Sequence, residues 1–135
     1  MNIDNDNQGF NHNPQEIGKQ FVNFYYPTVM TNPNNLIDSK GNCLFKHRTC
    51  YKIQGQEVIG TNDIISSLFN LLNRGVKYEV YNTDITADGN RRINILVTGR
   101  MSIDNLTYNF SEYFHIGCSN KDSDWFIQGA ILRTF

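Results

Sequence analysis

From Val76 to Phe135 apolar and polar residues alternate with a period of two, whereas the first half of the chain shows a helical period or none. Ile93, Ile95, Val97, Met101 and Ile103 interleave with Asn94, Leu96, Thr98, Arg100 and Ser102, the pattern of a strand with one face in a core. Asp104-Asn105 is a turn signal, after which Tyr108, Phe110, Phe114 and Ile116 resume the alternation. Trp125, Ile127, Ile131 and Phe135 follow the polar stretch 119–124 as a last strand. Val76, Tyr78 and Val80 start a further strand that returns through Ala87-Asp88-Gly89-Asn90, where Asp-Gly suits a tight primed turn. A meander of this length needs helices over its apolar face, and the preceding residues are expected to supply them.

Two helices are predicted. Asn13 is a natural cap, Pro14 fits the first helical position and Glu16 can reach back to the cap amide. Ile17, Phe21, Phe24 and Tyr25 then recur at helical spacing. Pro27 removes an amide and crowds the carbonyl of Asn23, so this helix is expected to kink or stop near Tyr26. Residues 31–42 read as loop, and a strand is expected from Thr49 to Ile53, preceded by a turn at Leu44-Phe45. Gln54-Gly55-Gln56-Glu57 forms a hairpin turn into Val58-Ile59. Thr61 is expected to cap a second helix in which Ile64, Ile65, Leu68, Phe69, Leu71 and Leu72 are apolar, and Asn73-Arg74-Gly75 ends it.

Composition narrows the function classes. The 135 residues suffice for one domain, expected over 13–135, with an Asn-rich tail at 1–12 that has too few apolar groups to fold. A net charge of −1 argues against direct nucleic-acid binding. No apolar run approaches the ~18 residues that span a bilayer. Three cysteines without Cys-x-x-Cys spacing favour neither a disulfide framework nor a zinc site, and point to a reducing compartment.

Ile17-Gly18 with Phe21-Val22 and Tyr25-Tyr26, then Thr49-Cys50-Tyr51 with Gln54-Gly55, Val58 and Gly60, then Ile85-Thr86-Ala87, Val97-Thr98-Gly99 and Phe110 with Phe114, occur in a distinctive order. In that order the chain resembles the nuclear transport factor 2-like family from about Ile17 to Arg133. The resemblance implies an α+β fold, a curved antiparallel sheet wrapped as a cone around N-terminal helices, dimerising through the outer sheet face. Leu96, Thr98 and Ile131 (or Leu132) are the residues expected there. It implies a non-enzymatic nucleocytoplasmic transport factor that needs no cofactor or metal and works in the nucleus, nuclear envelope and cytoplasm. The partners implied are the GDP form of the Ran GTPase and Phe-Gly nucleoporins, or a large mRNA-export receptor in a heterodimer. A peptide-binding role, as in the domain of stress-granule Ras-GAP-binding proteins, is a further alternative.

Carried over by position, the Ran-contacting aromatic–acid pair falls on Ile53-Gln54, and the later acidic turn on Asp104, Asn105 and Leu106, of which only Asp104 is acidic. The nucleoporin-site tryptophan falls on Pro14, with Phe10 nearby. Weak Ran binding is therefore expected.

The competing class is an isomerase or dehydratase, because the same cone houses such enzymes. Strand parity sends Glu112 inward with Phe110 and Phe114, among the cavity residues Tyr51 and Trp125. A structural Glu112 bonded to an internal tyrosine or lysine is the preferred reading. His115 is expected outward, His47 is a weaker candidate, and Asp84 is expected to face the cavity or end a hairpin.

Overall fold

The computed structural model describes residues 13–37, 43–89, 91–118 and 125–135. The expected tail at 1–12, including Phe10, the part Ser39-Lys40-Gly41-Asn42 of the loop expected at 31–42, and the polar stretch 119–124 lie outside the described residues. In chain order the elements are α1 (Pro14–Val29), a 3₁₀ turn (Pro33–Leu36), β1 (Phe45–Ile53), β2 (Gln56–Ile59), α2 (Thr61–Asn73), β3 (Lys77–Ala87), β4 (Arg92–Ile103), β5 (Leu106–Cys118) and β6 (Trp125–Thr134). The six strands form one curved sheet in the order β2-β1-β6-β5-β4-β3. Only β1 and β6 pair in parallel; the other neighbours are antiparallel. The helices cover the concave face, so the core lies between α1, α2 and the inward residues of β1 and β3–β6.

Helix α1 begins as its sequence indicates, with the Asn13 side chain accepting from the Gln15 amide and Pro14 in the first turn. It does not stop at Tyr26. Pro27 lies inside the helix, which continues to Val29. The expected break is overridden because Tyr25, Tyr26, Thr28 and Val29 are all buried, and their packing offsets one missing backbone hydrogen bond. Thr28 and Thr31 donate their hydroxyls to the carbonyls of Phe24 and Pro27 (2.6 and 2.8 Å), satisfying acceptors next to the proline.

Helix α2 also differs from expectation at its start. Gly60 is the cap, and Thr61 is the first helical residue, its hydroxyl donating to the carbonyl of Phe45 (2.8 Å). Strand β1 starts at Phe45, four residues before the predicted Thr49, because Phe45 is fully buried and pairs with Ile127 of β6.

β-Bulges in β3 and β6 set which of their side chains face inward, and a further register shift lies between Phe45 and Cys50 of β1. In β3 the register shifts between Val80 and Asn82. Parity flips there, so Thr83 and Ile85 lie opposite the inward Val97 and Ile95, while Asp84 pairs with Leu96 on the outside. Of the two readings left open for Asp84, the cavity-facing one is overturned: Asp84 is exposed. Gly99 makes the bulge fit, since a Cβ there would stand 2.0 Å from the Glu79 carbonyl oxygen. In β6 the register shifts around Gln128. Trp125 and Ile127 point inward before it, Ala130 and Leu132 after it, and Ile131 points out. Leu132 therefore belongs to the core and not to the outer face.

Candidate functional site

Three regions carry the chemistry. The first is a buried carboxyl. Glu112 on β5 is completely buried and lies opposite Val97 and Leu132. Tyr26 of α1 donates its hydroxyl to Glu112 Oε1 (2.9 Å), and Tyr51 of β1 donates to Oε2. Tyr25 meets the Tyr51 hydroxyl at 3.2 Å. The rings of Tyr26, Tyr78, Phe110 and Phe114 pack edge-on or tilted around this group. Burial pushes the Glu112 carboxyl up to about 8, the Tyr26 hydrogen bond opposing the shift in part. At neutral pH Glu112 is therefore mostly a neutral acid. Burial and the neighbouring Glu112 likewise raise the Tyr25 and Tyr26 hydroxyls well above the usual phenol range. Tyr51, Phe110 and Trp125 are also buried.

The second region is a cavity of about 340 Å³ at one end of the sheet, between the C-terminal half of α2, the β1–β2 hairpin and the ends of β4–β6. Val58, Leu71, Met101, Ile103 and Leu132 form its apolar wall, and Gln54, Gln56, Asn70 and Arg74 its polar rim. None of Glu112, Tyr51, Phe110 and Trp125 lines it. Ile53 and Gln54, by contrast, do. Gln54 occupies the tight β1–β2 turn at positive φ (54°), followed by Gly55 at 82°. Its side chain is closed onto the end of β6: Oε1 accepts from the Thr134 amide (2.8 Å), and Nε2 donates to the Thr134 hydroxyl.

Asp104 and Asn105 form the β4–β5 turn beside this mouth, both with positive φ (53° and 64°). The Asp104 amide donates to the Arg74 carbonyl (3.0 Å), tying the turn to the end of α2. Arg74 returns the contact, donating from Nε (2.9 Å) and Nη2 (2.6 Å) to Asp104 Oδ2. The hydrogen bond from Arg74 holds the Asp104 carboxyl below its usual range. Asn105 and Leu106 are exposed. The acid expected to meet a partner is thus already paired within the chain. Neither Arg74 nor Tyr26 was singled out from the sequence: Arg74 reads as a helix stop, and Tyr26 as the residue where a proline ends the helix.

The third region is the outer face of the sheet. Leu96, Tyr113 and Ile131 are direct neighbours across β4, β5 and β6. Leu96 and Ile131 are 42% and 47% exposed. Thr98 lies one position along the same face, half-buried. Tyr113 donates to Asn94 Oδ1 (2.6 Å), and His115 also faces outward, with Nε2 3.9 Å from Asp88 Oδ2. His47 is exposed on β1, away from Glu112. Among the described residues no cluster of His, Cys, Asp and Glu could hold a metal ion, and no helix is long and apolar enough to cross a membrane.

The profile of the nuclear transport factor 2 domain matches residues 17–134, and the chain belongs to that family. Among solved structures it is similar to nuclear transport factor 2 from Cryptosporidium parvum, at 25% identity and a TM-score of 0.79, covering 94% of this chain and 98% of that one. It is also similar to the yeast Ubp3-associated protein Bre5, at 21% identity and a TM-score of 0.75, over 92% and 98% of the two chains. A yeast complex of the deubiquitinase Ubp3 and its cofactor Bre5 matches at 20% identity and a TM-score of 0.73, over 90% and 96%. The yeast likenesses show the fold alone. Comparison with curated protein sequences gives no significant match.

Proposed function

We propose that this chain is a non-enzymatic, dimeric binding protein of nucleocytoplasmic trafficking. The observation that carries this reading is the row Leu96–Tyr113–Ile131, an apolar stripe crossing three central strands of a sheet face that, among the described residues, no helix covers. Exposed apolar residues clustered at the centre of a broad face are what a second chain buries. The full-length likeness to nuclear transport factor 2 of Cryptosporidium parvum favours a transport role, with Ran-GDP or Phe-Gly nucleoporins as partners and the nucleus, nuclear envelope and cytoplasm as the place of work. The cofactor role of Bre5 beside Ubp3 shows a protein of this fold serving another protein.

The chemistry of the interior supports a binding role. A catalytic acid must reach its substrate, and Glu112 is tied to two tyrosines in packed core, apart from the mouth cavity. Parallel pull-downs against Ran-GDP, Phe-Gly repeats and an mRNA-export receptor test the reading. Retention by one of them, lost on mutation of the outer face or mouth, is the expected result. Weak Ran-GDP capture is expected, because Gln54, Asn105 and Leu106 are uncharged and Asp104 is engaged by Arg74. Isomerase or dehydratase turnover abolished by Glu112→Gln would overturn it.

A further inference from the structure

The mouth cavity differs in character from the rest of the surface. Among the described residues thirteen line it, and of these Arg74 alone carries a formal charge. Its deeper wall is hydrocarbon, supplied by Leu71, Met101, Ile103 and Leu132, and its rim carries side-chain amides and hydroxyls. A volume of about 340 Å³ lies at the small end of the range for ligand pockets.

Arg74 is held in place without being used up. Two of its nitrogens, Nε and Nη2, converge on a single oxygen of Asp104, and the backbone bond from Asp104 to the Arg74 carbonyl fixes the same corner. The third nitrogen, Nη1, has no hydrogen-bond partner among the described residues. An arginine in this state is a positioned donor with spare N–H groups, suited to a planar carboxylate. Among the described residues the lining holds no acid; the nearest carboxylate is Asp104, whose charge is engaged on the opposite edge of the same guanidinium.

We propose that the mouth is a binding site for a small apolar monocarboxylate, its hydrocarbon part on the Leu71–Met101–Leu132 wall and its carboxylate on Arg74. Asp104 is then a positioning residue that aims the guanidinium. Arg74 bridges the two carboxylates, one from the turn and one from the ligand. This assignment does not rest on the dimer, but its lining includes Ile53 and Gln54, the positions carried over from the Ran contact. A molecule in the mouth would compete with a protein contact at Ile53 and Gln54, giving the adaptor a means of regulation by a small molecule.

Three probes of equal shape test it on the full chain: 3-phenylpropionate, 3-phenylpropanol and 3-phenylpropylamine, titrated by NMR chemical-shift perturbation. The acid should shift the methyl signals of Leu71, Met101 and Leu132 and bind roughly tenfold or more tightly than the alcohol, with the amine weakest. Arg74→Gln should remove the preference for the acid while leaving residual binding of the alcohol. Arg74→Lys should restore part of it, because the charge returns without the planar fork. Retained dispersion of core signals such as Trp125 and Phe114 verifies that each variant is folded. Equal binding of acid and alcohol, an acid preference that survives Arg74→Gln, or no shift of the cavity methyls at millimolar acid would each overturn the assignment. None of these outcomes depends on pull-down or sedimentation results, so the two readings fail separately.

Discussion

Glu112 on β5 and Asp104 in the β4–β5 turn show how differently one charge type behaves inside and outside this sheet. Glu112 is sealed from water, so desolvation dominates and the acid is raised to about 8. Asp104 sits in an exposed turn, where an arginine lowers its carboxyl instead. The interior group is neutral and serves as a hydrogen-bond hub for α1, β1 and β5. The exterior group stays ionised and holds a guanidinium at a cavity edge. Stability is thus concentrated where the chemistry is inaccessible, and binding capacity where the energetic stakes are low.

The contrast can be broken most severely at Glu112. Replacement by leucine removes the acceptor of both Tyr26 and Tyr51, leaving the buried Tyr26 hydroxyl unpaired and Tyr51 with Tyr25 alone. Equilibrium denaturation at pH 4, where the carboxyl is largely protonated in both the folded and the unfolded chain, should show a loss of about 1–3 kcal/mol. A loss too small to detect would mean that the hub is not structural.

Glu112→Gln should act in the opposite direction as pH rises. The carboxyl in the unfolded chain ionises near its ordinary 4.5, while the folded one stays neutral until about 8. Folding therefore favours the protonated form: this contribution is fully present below pH 4.5 and is lost progressively up to about pH 8, beyond which the penalty is constant. Within that window the slope approaches about 1.4 kcal/mol per pH unit. Glutamine accepts from one tyrosine and donates to the other, and it carries no charge. The variant should gain on the native chain with rising pH, on the order of a few kcal/mol by pH 8. Parallel stability profiles for the two proteins would show that Glu112 is not held neutral.

The smallest effect is expected at the mouth. Asp104→Asn should leave the denaturation midpoint indistinguishable from the native chain, because an exposed ion pair contributes little and is screened by salt. Its consequence should appear instead as a more mobile Arg74 side chain, read from the Nε–H resonance. A clear drop in stability would place Asp104 among the structural residues.

The alternation in β4 and β5 was legible residue by residue, including the inward direction of Glu112 and the outward direction of Leu96 and His115. The turns at Gly55 and at Asp104-Asn105 were equally plain, since glycine, aspartate and asparagine are the residue types that tolerate positive φ, whereas the positive φ of Gln54 was not written in its type. What local sequence could not convey were the bulges in β3 and β6, each one residue long and each reversing parity downstream. The cavity-facing alternative for Asp84 and the outer-face alternative for Leu132 fail for that reason. Pro27 misled because burial of Tyr25 and Tyr26 outweighs a local helix penalty, and tertiary packing is invisible to a local rule. Tyr26 and Tyr51 meet Glu112 from 86 and 61 residues away, and Arg74 meets Asp104 across 30. Such pairings come from the fold and not from spacing.

The adaptor reading is tested most directly by sedimentation equilibrium of the native chain, Leu96→Arg and Glu112→Gln, compared at high micromolar concentration. An arginine at the centre of the Leu96–Tyr113–Ile131 row loses hydration when a second chain covers it, so it should weaken association by at least roughly tenfold. Glutamine at the buried hub touches no outer residue and should leave association unchanged. The account predicts dimer, monomer and dimer in that order; a native chain that sediments as a monomer would contradict it.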